Sequence, residues 1–169
     1  SPYKVLNNGI DEQRFRYRPE IREKVRKEYH LEDKLVITHV GRFNKQKNHA
    51  FLMDVFEEIY RRNPNSVLRL IGTGELQQSV KERIRNTRIE NAVIFVGVTD
   101  KPEIEYQIAD VFVLPSIYES FGLVNVEAQC AGLPCVISDT VPKEIKIMEH
   151  VSFLSLERSP AEWAKVILS

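Results

Sequence analysis

The chain has 169 residues, 43% of them hydrophobic and 28% charged. That is enough for one globular domain with a substantial core and too short for two ordinary ones. Lysine plus arginine equals aspartate plus glutamate at 24 each, so overall charge argues for neither nucleic acid nor a membrane surface as partner. No apolar run approaches the length of a bilayer span, and no signal peptide opens the chain.

In chain order, Asn8-Gly9 is a turn signal, since both residues tolerate positive φ. Residues 18–29 form a charged, exposed helix with Pro19 in its first turn. The run 34–41 (KLVITHVG) is the first core strand. From 48 to 62, Phe51, Leu52, Val55, Phe56 and Ile59 recur at helical spacing. A second strand covers 67–71, and a more polar helix over 76–88 turns Leu76, Val80 and Ile84 inward. The third strand is 93–96, followed by a short helix over 102–109 with Ile104 and Ile108 inward and Asp100 as its cap. Val111 to Leu114, an apolar run closed by Pro115, reads as a strand buried on both faces. Ser120 then caps a helix over 122–131, which Gly132-Leu133-Pro134 ends. Strands follow at 135–137 and 151–154, and a last helix at 160–168 carries Trp163 as a core anchor. Alternation of this kind predicts an α/β fold: a Rossmann-like open parallel sheet of about six strands with helices on both faces.

Ligands of such sheets bind beyond the carboxyl ends of the strands, which selects the loops after Val40, Ile71, Val96, Leu114 and Ile137. In the first, Gly41 lets the backbone turn and Arg42 leaves the strand over the sheet mouth, while Lys47 precedes the next helix. A guanidinium fork with an ammonium point charge suits a diphosphate; Lys45 reads as a solvated loop charge. In the second, Gly72 and Gly74 fit either close approach of a ligand or a tight strand-to-helix turn. In the fourth, Glu119 stands at the mouth and Glu127 lies about one turn inside the following helix. The free amides at the start of that helix suit a phosphate, and the Glu127 carboxylate can accept from two vicinal hydroxyls. A phosphate centre with hydroxyls at both ends describes a nucleotide sugar. The same carboxylate pair would suit a glycoside hydrolase, but the basic pair and the helix amides call for an anionic leaving group. No GxGxxG follows the first strand and no P-loop motif occurs. His30, His39, His49 and His150 have no metal-ligand spacing with a carboxylate and read as satisfied structural or surface residues. Cys130 and Cys135 fit no zinc pattern and read as small thiols of a reducing cytoplasm.

The stretch from Asp110 to Asp139 (DVFVLPSIYESFGLVNVEAQCAGLPCVISD) resembles the retaining glycosyltransferases of the two-domain GT-B type, family four (group one). The resemblance rests on the Glu-x7-Glu pair with Phe121-Gly122-Leu123 between, on the Gly132-Leu133-Pro134 exit, and on the "GR" and "K" of the first loop. Ser120 and Asn48 stand where the family commonly has Gly, and Cys135 where it has Val. Residues 139–144 depart from the family's Gly-Gly-Pro-Glu. The resemblance implies that residues 1–169 are the C-terminal, donor-binding domain, cut at both ends, with an N-terminal acceptor domain absent. It implies a UDP- or GDP-type sugar donor, no metal ion, and a sugar or lipid-linked sugar acceptor reached through the absent domain. Glu119, Arg42 and Lys47 would be catalytic. Gly41, Gly72, Gly74, Val98, Thr99, Ser120, Phe121, Gly122, Leu123 and Glu127 would bind the donor, with Val98 or Thr99 walling the base. The implied setting is polysaccharide or glycoconjugate synthesis in the cytoplasm, at the membrane face in many such enzymes. A sugar-nucleotide epimerase on the same fold and a non-catalytic nucleotide-binding module are the alternatives.

Overall fold

A computed structural model describes residues 10–169, so the Asn8-Gly9 turn lies outside the described residues. A short helix that the sequence pattern does not predict, α1 (Glu12–Phe15), comes first, and the Asp11 carboxylate caps it by accepting from the amides of Gln13 and Arg14. The chain then runs α2 (Pro19–Glu28), β1 (Leu35–Val40), α3 (His49–Arg62), β2 (Ser66–Ile71), α4 (Gln77–Ile84), β3 (Val93–Gly97), α5 (Pro102–Ile108), β4 (Val111–Leu114), α6 (Leu123–Cys130), β5 (Cys135–Ser138), β6 (Val151–Leu154) and α7 (Pro160–Ile167). All six strands are parallel, in the order β3-β2-β1-β4-β5-β6. The predicted α/β sheet is therefore present, with its predicted strands in place.

Side-chain alternation along the strands divides the core. Val111 and Val113 join Ile37, Leu68 and Leu70 under α3, α4 and α7, where Trp163 is fully buried. Phe112 and Leu114 join Tyr106, Val126 and Ile137 on the other face. A third cluster, Val25, Leu31, Val36, Val67 and Ile108, seats α2 and α5. At the amino ends of the strands, Asp110 pairs with Arg22 and Arg26 and accepts from the amide of Val36 at 2.8 Å. This carboxylate staples α2 to β1 and β4, far along the strands from the mouth. No helix among the described residues is long and apolar enough to cross a membrane.

Two predicted helix caps are corrected. The N-cap of α6 is Gly122 at φ +62°, with no capping side chain. Ser120 lies two residues before it, beyond reach of the amides a cap must meet. The N-cap of α5 is Lys101, again without a side-chain bond, and the Asp100 carbonyl is engaged instead by Arg14 at 3.0 Å.

The glycines of the second loop are needed by the chain itself. A Cβ on Gly72, at φ +127°, would lie 2.2 Å from the carbonyl oxygen of Gly41, and one on Gly74 would lie 2.4 Å from that of Phe43. The loops after β1 and β2 thus lie back to back, and the tight-turn reading describes these positions. Gly97, at φ +86°, faces open space. Gly72→Ala should therefore cost at least about 2 kcal/mol by combining strain with a backbone clash. Gly97→Ala should cost only about 1–2 kcal/mol, the strain alone. Urea midpoints of the two variants measure the difference, and equal losses would contradict the steric account.

Candidate functional site

The order of the sheet reverses direction at β1, whose neighbours are β2 and β4. This is the switch point where the crevice of an open parallel sheet forms. β1 and β4 are in register only at Ile37–Val111 and Thr38–Phe112. Beyond those pairs the two loops are joined by other means. The Gln46 carbonyl accepts from the amide of Ile117 at 2.8 Å, and the Gln46 side chain donates to the carbonyl of Tyr118 at 3.0 Å. Asn48, in the left-handed region at φ +62°, donates from Nδ2 to the carbonyl of Pro115 at 3.1 Å. Asn is one of the few non-glycine residues that take this conformation readily, so it can replace a glycine here and add a bond.

Between those two anchors Lys47 reaches across to Glu119, and their charged groups pair, with side chains only 14% and 8% exposed. Gly41 makes room for this: a Cβ there would lie 2.9 Å from Cδ of Lys47. The Asn44 side chain accepts from the Lys47 amide at 3.1 Å. Glu119 Oε1 takes both the ammonium and the Ser116 hydroxyl, the latter at 2.9 Å. Oε2 has no partner among the described residues. Ser116 is itself fixed, its carbonyl accepting from Ser138 at 2.6 Å and Thr140 at 2.7 Å. Arg42 stays apart, 67% exposed, in a surface contact of 3.3 Å with Glu75 that contributes little to stability.

The loop after β4 leads into the uncapped start of α6, where Phe121 and Leu123 are exposed. One turn into α6, Glu127 Oε2 accepts from the Tyr106 hydroxyl at 2.7 Å. Burial raises the Glu127 carboxyl above its ordinary pKa, the Tyr106 bond and the nearby Arg14 charge oppose that, and Glu103 adds to it. The loop after β3 presents Val98 to solvent, and the Thr99 hydroxyl accepts from the Lys101 amide at 3.0 Å. Arg14 of α1 ties this region down through Glu103 at 2.8 Å and the Asp100 carbonyl. Tyr106, Arg14, Gln46 and Ser116 are not singled out by sequence pattern. Each acts through a partner far along the chain, which no local periodicity records.

The histidines need correction. His39 and His49 are buried side by side, ring centroids 4.8 Å apart, with His49 stacked on Phe43 at 4.1 Å. They are structural but not satisfied. His39 Nδ1 meets the Val113 carbonyl at 2.9 Å, while His39 Nε2 and both nitrogens of His49 have no partner among the described residues. Burial and the neighbouring positive charge lower His49 to about 4 and push His39 well below its usual value. Both are neutral at physiological pH. Among the described residues no group of three or more His, Cys, Asp or Glu is placed to hold a metal ion.

The chain belongs to the glycosyl transferases group 1, the family whose profile matches residues 20–169. EpsF of Bacillus subtilis (strain 168) is 38% identical over 136 residues, covering 80% of this chain and 35% of that protein. Anabaena HepE in complex with UDP superimposes with a TM-score of 0.82 at 25% identity, over 95% of this chain and 45% of HepE. The C-terminal domain of the group 1 glycosyl transferase LpcC from Francisella tularensis gives a TM-score of 0.81 at 20% identity, over 94% of this chain and 86% of that domain. The fold is thus that of the C-terminal half of a GT-B protein. The chain spans about a third of the length of the curated relatives it matches.

The raised Glu127 pKa has a stability consequence of defined sign. A carboxyl whose folded pKa lies above its unfolded value contributes stability below the unfolded pKa and loses it as pH rises through the folded one. At neutral pH the charged form is therefore a cost. Glu127→Gln should melt about 1–2 °C above the native chain at pH 7, the partial exposure of the group keeping the gain small. The difference should vanish or reverse at pH 4, as read by thermal melts across that range.

Proposed function

We propose that residues 1–169 are the donor-binding domain of a retaining glycosyltransferase of family four, which transfers a sugar from a nucleoside diphosphate to an acceptor hydroxyl. The observation that carries this reading is the juxtaposition, at the switch-point crevice, of the Lys47–Glu119 pair with the uncapped start of α6 and with Glu127 one turn inside it. In this reading the diphosphate lies against Lys47 and the amides of Phe121, Gly122 and Leu123, with Arg42 swinging in from solvent. Glu119 offers Oε2 to the hydroxyls of the sugar, and Glu127 offers Oε1 to the ribose. Val98 and Thr99 flank the base. The bond from the anomeric carbon to the diphosphate breaks, the acceptor oxygen bonds to that carbon on the same face, and the acceptor proton leaves with the diphosphate. Positive side chains and helix amides take up the leaving charge, the part a metal ion plays elsewhere.

The acceptor, a sugar or lipid-linked sugar, would be met by a further domain, since the matched relatives are about three times as long as the matched region. UDP is the first nucleotide to try, because HepE carries it on the same fold; a cytoplasmic role in polysaccharide synthesis is the corresponding setting. Calorimetric titration of this chain with UDP, GDP and ADP tests the reading. Saturable binding of one nucleotide is expected, with Glu127→Gln weakening it by about tenfold as a charge-assisted bond to a hydroxyl is lost. Absence of saturable binding by all three would remove the donor-site reading for this chain.

A further inference from the structure

Tyr106 lies on the side of α5 away from Ile104 and Ile108, the face that periodicity turns inward. It is nonetheless 1% exposed, because α5 is buried on two sides. Its ring is gripped edge-on by Phe15 at 5.7 Å and Phe112 at 6.1 Å between centroids. A phenol so held has little freedom to choose where its hydroxyl points. Two acceptors stand in reach, the Glu127 carboxylate at 2.7 Å and the Val124 carbonyl at 3.2 Å. The shorter bond, to a charged acceptor, is the stronger.

We propose that Tyr106 is a positioning residue for the nucleoside half of the site, its hydroxyl pinning Oε2 of Glu127 so that Oε1 is the oxygen left for a ligand's hydroxyls. This rests on the reading of Glu127 as the ribose acceptor. The assignment explains why a tyrosine, rather than a phenylalanine, fills this part of the core. A lone carboxylate on a helix can rotate about several bonds, and fixing one oxygen removes most of that freedom before a ligand arrives. Burial and the adjacent carboxylate push the Tyr106 hydroxyl well above its usual pKa, so it remains a donor throughout the physiological range. The other charged groups bearing on Glu127 are Arg14 from α1 and Glu103 from α5, which pair with each other at 2.8 Å. Arg14 also holds the Asp100 carbonyl, so α1 ties Glu103 of α5 to the loop after β3. Of the influences that keep Glu127 ionised, the Tyr106 bond is the largest and the Arg14 charge the second.

Tyr106→Phe tests this, because it keeps both ring contacts and removes only the donor. Loss of Val124's weaker bond leaves an acceptor that the helix already uses, so the variant should fold. Carbon-13 NMR of the Glu127 carboxyl in the ligand-free chain should show its titration midpoint moving to higher pH in Tyr106→Phe. UDP affinity should fall about three- to tenfold at pH 7, and the accompanying shift of the Glu127 midpoint is a readout that a purely structural role would not move. In a Glu127→Gln background the same substitution should have no further effect on binding, the coupling expected of a pair that acts as one unit. An unmoved Glu127 midpoint, or additive losses in the double variant, overturns the proposal. If the native chain binds none of UDP, GDP and ADP while the midpoint moves, the donor-site reading fails and the hold of Tyr106 on Glu127 stands.

Discussion

The site depends on the seam between the loops that leave β1 and β4. In a parallel sheet these strands point the same way, and at the switch point their following helices diverge to opposite faces. Left alone, the crevice between them would be a gap with loose edges. Here the short β1–β4 register is continued by Gln46 and Asn48, whose main-chain and side-chain bonds reach Pro115, Ile117 and Tyr118. Lys47 sits between these two residues, so its position relative to Glu119 is fixed by bonds on either side rather than by the ion pair alone. The back-to-back packing of Gly72 and Gly74 against Gly41 and Phe43 sets the other edge of the same loop.

Two buried ion pairs in this molecule serve different ends. Arg69 and Glu105 are both under a tenth exposed and bonded through two separate nitrogen–oxygen contacts at 3.1 and 3.2 Å. Both oxygens of the carboxylate are taken by the one guanidinium fork, the geometry of a structural pair. The Lys47–Glu119 pair is nearly as buried but leaves one carboxylate oxygen without a partner among the described residues. That second oxygen is not among the buried atoms without a partner, so the pair is closed on one side by the fold and open to solvent on the other. The neutral His39 and His49 beside it fit the same field. Burial first, and the Lys47 charge after it, oppose their protonation, so the ammonium is the positive charge beside them.

Much of this was legible in the sequence where the signal is local. Val111 to Leu114 closed by Pro115, and the stripe from Phe51 to Ile59, identify a buried strand and an amphipathic helix because their burial pattern is their residue pattern. The Glu-x7-Glu spacing places its two carboxylates correctly relative to α6 for the same reason. Ser120 misleads because a cap must lie within reach of the first helical amides, and the left-handed Gly122 starts the helix later than composition suggests. Gly72 and Gly74 are ambiguous in sequence because a ligand and a neighbouring backbone both exclude a Cβ. Only the packed loop shows which one does. Arg14, Ser116 and Tyr106 escape notice because their partners lie across the sheet or in another helix, where chain spacing carries no information.

The two carboxylates share a feature that their spacing in the chain does not express. Each has one oxygen held by donors from elsewhere in the fold and the other without a partner among the described residues. Lys47 and Ser116 hold Glu119, and Tyr106 holds Glu127. The holders come from the loop after β1, the end of β4 and the middle of α5, three parts of the chain that the sheet brings to one crevice. Half-held carboxylates are oriented by the fold itself, and each keeps an oxygen that no described residue occupies. The cost of ordering them is met when the chain folds. The charges differ in a way that matters. Glu119 is neutralised by its ammonium, whereas Glu127 has a neutral donor and only the more distant Arg14. Burial raises the Glu127 carboxyl above its ordinary pKa, so acid weakens the charge on the acceptor of the Tyr106 bond.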